Sequence, residues 1–453
     1  MRISAEDELE NTRGERFMKR AIWILIMLVL LLGAKPAKAA DNRFIVRTTG
    51  GLPLIQGVCG LLGCNVVHGL DGSLNQLFLV TAPSSIDPTA FLAILQSQLG
   101  VVAVELDHLV GLVGGLAEAS APPAGLWNSS PVNYYGATVW AGYANQPAAG
   151  IVRVSDTQKA FNVAGAGIVA DIDTGVDPNH PALRNVLLPG YDFTRNQPGG
   201  SEMQDVPPFP YSGQGQPARV NQSTAAVLDQ STAAVLDTNV QYAAFGHGTM
   251  VVGIIHLVAP HALLMPLKAF HSDGTGYVSD ILRAVYYAVQ NKAKVINMSF
   301  DFTTYSKELA RSMNYANRAG VICVASAGND GKDELVYPAG LTNLVMGIAS
   351  TSDADTRSSF SNYGQDIVWV AAPGEAIITT YPFSTYAAGS GTSFSAPFVS
   401  GGAALFLSVR MNCNQYQASQ AFAHAKLLSP DMGHGRLDLY QAVSAWRKAA
   451  GLQ

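Results

Sequence analysis

The sequence predicts a three-layer α/β protein, a mostly parallel sheet with helices on both faces, preceded by a small α+β unit. Three observations predict it. From residue 151 onward, strand-like runs (GIVADID, LLMPLKAF, AKVINMSF, GVICVASAG, NLVMGIAS, DIVWVAA) alternate with helical segments (HGTMVVGIIHLV, VSDILRAVYYAVQ, SKELARSMNYANRA, PFVSGGAALFLSV). The strands are near-continuously apolar and rich in β-branched residues, the pattern of a parallel sheet buried on both faces. Finally, the 453 residues are 48% hydrophobic and 13% charged, enough apolar material for a large core,.

The elements follow in order. In MKRAIWILIMLVLLLGAKPAKAA, Lys19 and Arg20 precede an apolar run, and Ala37 and Ala39 supply small residues at cleavage positions. Residues 1–39 therefore read as a secretory signal peptide. The run is shorter than the ~20 residues that cross a bilayer, and an uncleaved anchor helix is the alternative. FIVRTTGG and QLFLVTA read as strands. Asp87 and Pro88 supply a cap and a first-turn proline for the helix TAFLAILQSQL,. VVAVELDHLVGL alternates as a strand and closes the α+β unit, residues 42–113. Residues 114–150, rich in Ala, Gly, Pro, Ser and Asn, read as a linker or processing region,. The α/β domain spans 151–448. Inside it QSTAAVLD occupies 222–229 and repeats at once over 230–237. Two copies cannot build a solenoid, so residues 200–240 are expected to form a surface insertion.

Composition narrows the function. The net charge is −5, and no Lys/Arg run follows the first twenty residues, which argues against nucleic acid as a partner,. Cys59 and Cys64 are close enough to pair in an oxidising compartment, Cys323 lies in an apolar run as a buried thiol, and Cys413 has no obvious partner,. No CxxC motif or His/Cys cluster suggests zinc, so no catalytic metal or cofactor is expected,.

Hydrolysis by a serine nucleophile needs a base for the hydroxyl proton, an acid that orients the base, and donors for the oxyanion. Asp173 ends the strand in GIVADIDTGVD, where open α/β sheets place functional side chains,. His247 stands between glycines at a helix start in FGHGTMVVGII. Ser393, in GTSFSAP, opens a helix whose N-terminus favours a developing anion,. Asn329 follows a strand in SAGND with an amide able to donate. Singly these are a turn, a loop histidine and a helix cap. Together, at strand ends and helix starts of one domain, they form a hydrolytic constellation.

IDTGVDPNHPAL, HGTMVVGII and GTSFSAPFVSG resemble the three signatures of the subtilisin family of serine proteases, D-[ST]-G, H-G-T-H-V-A-G and G-T-S-M-[AS]-x-P. The likeness continues through VAPHALLMPLKAF, DGTGYVSDI, VINMSF, VASAGNDG, SSFSNYGQDIVWVAAPG and MGHGRLDLYQAV, and covers residues 152–443. It implies a subtilisin-like fold in which Ser393 attacks the peptide carbonyl, His247 is general base and then acid, and Asp173 orients the imidazole. Asn329 and the Ser393 N–H would hold the oxyanion. Substrate binding would fall to Gly274, Thr275, Gly276, Ser299, Phe300, Asp301, Ser326, Ala327 and Gly328. The first unit resembles the family's ferredoxin-like inhibitory propeptide, released by self-cleavage between Leu112 and Gly114. The resemblance thus implies a self-processing zymogen with polypeptides and its own propeptide as partners; the leader pattern implies that it is secreted, and a self-processing protease need not be more than a monomer.

Some residues depart from the family pattern. Met250 replaces the second histidine of the family motif, and Pro397 falls where the family has its helix proline. Asp171 shares a strand face with Asp173: either one carboxyl of the pair is raised in pKa, or Asp171 is a structural residue bonded to backbone. Ala182 replaces an acid that serves relatives as a calcium ligand, and the loop after the His247 helix is short, so that calcium site is expected to be absent, and a structural calcium elsewhere has no assignable site. By the resemblance Asp301 replaces a glycine beside the primary specificity pocket, where it selects a basic residue, partly obstructs the groove or is neutral. The alternative functions are a catalytically impaired peptide-binding scaffold and a dedicated processing protease or peptide ligase.

Overall fold

The structure, a computed structural model, describes residues 41–112, 123–206, 218–219 and 242–452. The expected leader and the QSTAAVLD repeat lie outside the described residues.

The first unit runs β1 (Asn42–Thr48), α1 (Gly51–Leu62), β2 (Asn65–Gly69), β3 (Leu77–Ala82), α2 (Pro88–Gln96), β4 (Val101–Leu106). Its sheet is antiparallel in the order β2-β3-β1-β4, the ferredoxin-like arrangement,. The Asp87 side chain accepts from Ala90 N at 2.7 Å, capping α2 as expected. Helix α1 was not anticipated: its glycines and proline are poor helix formers,. Packing of Ile55 and Val58 holds it, and the Cys59–Cys64 disulfide ties its last turn to the start of β2. Side-chain alternation gives the sheet two buried faces. Phe44 and Val46 pack with Phe91 and Leu95, whereas Ile45, Leu77 and Leu79 join a core cluster of the large domain with Ile281 and Met313.

The large domain carries an eight-stranded sheet. Its strands are β8 (Ile168–Asp173), β9 (Tyr191–Asp192), β10 (Gln197–Pro198), β11 (Leu263–Lys268), β13 (Val295–Met298), β14 (Ile322–Ser326), β15 (Met346–Thr351) and β16 (Val370–Pro373). Two short strands outside it, β5 (Leu109–Gly111) and β12 (Thr275–Tyr277), pair with each other. The order is β10-β9-β11-β8-β13-β14-β15-β16, parallel except for the β9/β10 hairpin. Helices α3 (His247–Val258) and α6 (Thr392–Val409) belong to the core on one face, and α4 (Val278–Gln290) and α5 (Lys307–Arg318) to the core on the other. The expected strands and helices thus stand close to their sequence positions, and the expected three layers result.

Two expected boundaries are corrected. Residues 123–150 are part of the α/β domain, not a linker: β6 (Pro131–Tyr134) and β7 (Ala137–Trp140) form a hairpin, and Leu126, Val139 and Tyr143 are buried in the main core. Small residues there allow close approach, since a β-carbon at Gly142 would lie 2.0 Å from the Gly125 carbonyl oxygen. The Gln146 amide also brackets one residue, accepting from Ile378 N at 3.0 Å and donating to Ile378 O at 2.6 Å. Residues 200–206, expected within the surface insertion, begin instead beneath the Asp173 turn, where Glu202 is fully buried.

Helix α6 carries Pro397 in its interior. A proline has no N–H, so the carbonyl of Ser393, four residues earlier, loses its helical partner. The Ser299 hydroxyl donates to that carbonyl at 2.9 Å. The proline is accommodated by the strand next door, and the same bond ties β13 to the residue expected to be the nucleophile.

Candidate active site

Asp173 ends the central strand β8, and both carboxylate oxygens lie near His247 Nδ1, at 2.7 and 2.8 Å. Thr174 N donates to Oδ1 at 2.6 Å. A carboxylate accepts only, so Nδ1 carries the proton and Nε2 presents its lone pair outward. His247 reaches the strand end because α3 starts against the Asp173 turn. A β-carbon at Gly248 would lie 2.1 Å from the Gly175 carbonyl oxygen, and Gly175 itself has φ +99°. Only glycines permit that approach.

Glu202 locks the approach from below. It accepts from Gly246 N at 2.7 Å and Thr174 Oγ1 at 3.0 Å, and bonds Thr249 Oγ1, so one side chain joins the Asp173 turn to the first turn of α3. Lys268, fully buried, donates to the Thr174 and Phe270 carbonyls at 2.8 and 2.7 Å and pairs with Asp205 at 2.7 Å. Sequence reading missed Glu202, Thr174, Asp205 and Lys268 as parts of the site. The one usable signal was a lysine closing the otherwise apolar strand LLMPLK.

Burial pushes Glu202 up to about 8, against the hydrogen bonds from Thr249 and Gly246 that favour its ionised form. The folded state therefore holds a proton that the unfolded chain releases near the ordinary value, about 4.5. Folded protein binds more protons between those values, so stability falls as pH rises from about 4.5 to about 8,. Glu202→Gln cannot ionise, and its melting temperature is expected to vary less over that window than the wild type's. Parallel wild-type and Glu202→Gln curves would contradict this.

Ser393 is the second residue of α6, after the Gly391 cap. Its Oγ donates to the Ser299 carbonyl at 3.1 Å. Asn329 Oδ1 accepts from Thr392 N at 2.8 Å and Thr392 Oγ1 at 3.0 Å. These two donors fix the amide, leaving Nδ2 as its donating end beside the first turn of α6. Asp173, His247, Ser393 and Asn329 are all at least nine-tenths buried, with exposures of 1, 3, 6 and 8%. Charges and dipoles placed there act through low dielectric.

Asp171 lies deeper on the same strand. Its Oδ1 accepts from Asn297 Nδ2 at 2.9 Å, a side-chain bond and not a backbone one, and its buried Oδ2 has no partner. Burial, reinforced by the charge of Asp173, holds its carboxyl well above the ordinary range. Of the two readings of this residue, the raised carboxyl is the one found. Asn297 in turn bonds Ser299 Oγ at 2.9 Å and accepts from Ser400 Oγ at 2.7 Å, connecting β8, β13 and α6 under Ser393.

The expected substrate groove is occupied by the chain itself. β5 pairs antiparallel with β12, Gly111 opposite Thr275 and Val110 opposite Gly276, and Leu112 N donates to the Gly274 carbonyl at 2.8 Å. Two carboxylates of the first unit dock it on helix starts: Asp107 accepts from Ser279 N at 2.8 Å, and Glu105 from Lys307 N at 3.1 Å,. Ion pairs Arg43–Asp107 at 2.8 Å and Arg47–Glu308 at 2.7 Å flank them. Of the other expected substrate residues, Phe300 is buried against Phe270 with ring centroids 5.0 Å apart, and Ser326 and Ala327 bury their side chains. Asp301 reaches toward Gly328, its Oδ2 lying 3.1 Å from the point where a β-carbon there would stand. Met250 is fully buried in the core of the α3 face. His180 Nε2 bonds the Thr385 carbonyl at 2.9 Å beside the buried Ala182. Among the described residues no group of three or more His, Cys, Asp or Glu is gathered as a metal site.

An Asp–His pair at the end of a central parallel strand, a serine in the first turn of a neighbouring helix and an amide donor beside it have the form of a triad-type serine hydrolase. The subtilase family matches residues 165–441, and the chain belongs to that family. It is 33% identical over 289 residues to thermitase of Thermoactinomyces vulgaris, covering 63% of this chain and 92% of that protein. It is likewise 33% identical over 285 residues to the major intracellular serine protease of Bacillus subtilis, covering 59% and 77%. The crystal structure of a lanthipeptide protease aligns with a TM-score of 0.51 at 23% identity, covering 65% of this chain and 92% of that one, a likeness of fold alone. The chain is a subtilisin-type serine endopeptidase.

Proposed function

We propose that this endopeptidase is a secreted, self-processing zymogen, with Ser393 as nucleophile and residues 42–113 as its inhibitory propeptide. The observation that carries the reading is the β5/β12 pairing, which sets the end of the first unit against Thr275 and Gly276, two of the expected substrate-binding residues. The leader pattern and the Cys59–Cys64 disulfide support export to an oxidising compartment,.

In this reading Ser393 Oγ leaves the Ser299 carbonyl and turns to His247 Nε2, which takes its proton as Oγ attacks the peptide carbonyl. Asp173 holds the tautomer and stabilises the imidazolium. The oxyanion accepts from the Ser393 N–H, at the positive end of α6, and from Asn329 Nδ2. His247 then gives its proton to the leaving amine, and a water repeats the sequence on the acyl-enzyme. Each proton transfer is made by a side chain of this chain, and no catalytic cofactor is invoked.

Asn329→Ala is expected to lower kcat about 10²–10³-fold with little change in KM, the scale found in a member of this family. A loss confined to KM would remove Asn329 from the oxyanion role. The zymogen reading is tested by intact mass of purified full-length protein. Wild type is expected to lose the first unit by a cut between Leu112 and Gly114, and Ser393→Ala to retain it. Equal processing of both proteins would contradict self-cleavage.

A further inference from the structure

Resting on the protease reading above, we propose that Asp301 fills the primary specificity pocket, so that this enzyme cuts after small uncharged residues and rejects large and cationic ones. The pocket is located by the geometry of the site. One wall is Ser299-Phe300-Asp301, leaving β13, and its Ser299 carbonyl takes the hydrogen bond of Ser393 Oγ. The other is Ser326-Ala327-Gly328, closing β14 and leading directly into Asn329. A residue whose carbonyl is attacked by Ser393 and polarised by Asn329 must place its side chain between these walls.

Phe300 and Ala327 bury their side chains in the hydrophobic cores behind these walls. Asp301 does not. Its Oδ2 lies 3.1 Å from the point where a β-carbon on Gly328 would stand, so the carboxyl reaches across to the opposite wall. Gly328, with φ +98° and no side chain, is what leaves room for it,. The buried Nδ2 of Asn362, without a hydrogen-bond partner, stands 2.4 Å from the same point and closes that end of the gap. No hydrogen bond or ion pair holds Asp301 among the described residues, so nothing draws the carboxyl away from the gap.

A carboxyl in this place could instead attract a basic side chain, but a long Lys or Arg side chain needs the volume that the carboxyl itself takes as it reaches toward Gly328. Residues 113–152, moreover, contain no Lys or Arg, and the stretch after Leu112 reads VGGLA. A protease that releases its own first unit in that stretch must accept an uncharged residue before the cut.

The test uses full-length protein after processing, with active sites counted by a fluorophosphonate, and peptides differing only at the residue before the cut (Gly, Ala, Val, Phe, Lys). The wild type is expected to favour Ala or Val over Phe and Lys by about tenfold or more in kcat/KM, the scale on which pocket volume discriminates. Asp301→Gly is expected to raise the Phe/Ala ratio about tenfold. Asp301→Asn, equal in volume and uncharged, keeps the wild-type order. A wild-type preference for Lys or Phe, an unchanged ratio in Asp301→Gly, or loss of the preference in Asp301→Asn would overturn the proposal while labelled Ser393 still upheld the protease. Failure of the wild type to label at all would remove both.

Discussion

His247→Ala is expected to lower kcat for peptide hydrolysis by about 10⁶, the loss found in a subtilisin when its own catalytic histidine is removed. The size follows from what the ring does here. Nδ1 is committed to Asp173 at 2.7 Å, so Nε2 is the ring nitrogen left with a basic lone pair,. Without it the Ser393 hydroxyl keeps its proton, and its hydrogen bond to the Ser299 carbonyl remains the resting arrangement. A residual rate about 10³–10⁴ above that in water is expected to survive, because the Asn329 amide and the Ser393 N–H still receive the oxyanion. Single-turnover kinetics on the processed protein measure the loss. A decrease of tenfold or less would mean that another group serves as base.

Asp173→Asn is expected to cost about 10⁴ in kcat while leaving the fold intact. The amide is isosteric, but its NH₂ can donate to Nδ1. That reverses the tautomer, so Nε2 carries the proton and cannot accept one from Ser393. The neighbourhood makes the effect sharper. Asp171, on the same strand face, is raised by burial even without the charge of Asp173, and its Oδ1 is engaged by Asn297 and not by His247, so it does not replace the missing carboxylate. The activity of Asp173→Asn is therefore expected to rise with pH, as hydroxide replaces the lost base. Wild-type activity in this variant would remove Asp173 from the catalytic group.

Much of this site was legible before the structure, because its residues sit at positions the chain marks locally. Asp173 ends an apolar strand, and His247 and Ser393 open helices whose apolar periodicity is plain. The helices His247–Val258 and Val278–Gln290 have the limits their sequence suggests. What was not legible depends on contacts between distant segments. Glu202 sits in a polar stretch, GGSEMQD, and nothing local distinguishes it from a surface acid; donors from Gly246, Thr174 and Thr249 make its burial possible. The 123–150 segment has a linker's composition, yet Tyr143 donates to the Gly253 carbonyl at 2.8 Å from the middle of the core. Helix α1 has the glycines of a turn and is held by the sheet beneath it and by a disulfide. Asp301 stood out only against the family pattern, and its reach across to Gly328 needed coordinates.

The central claim is that Ser393, activated by His247, is the nucleophile of a self-processing protease. The most direct measurement is fluorophosphonate labelling of purified, processed protein, with the modified residue located by peptide mass and Ser393→Ala as the comparison. The account predicts one label per chain, on Ser393, and no label on the variant. A folded wild-type protein, freed of its first unit, that takes no label or takes it on another residue would contradict it.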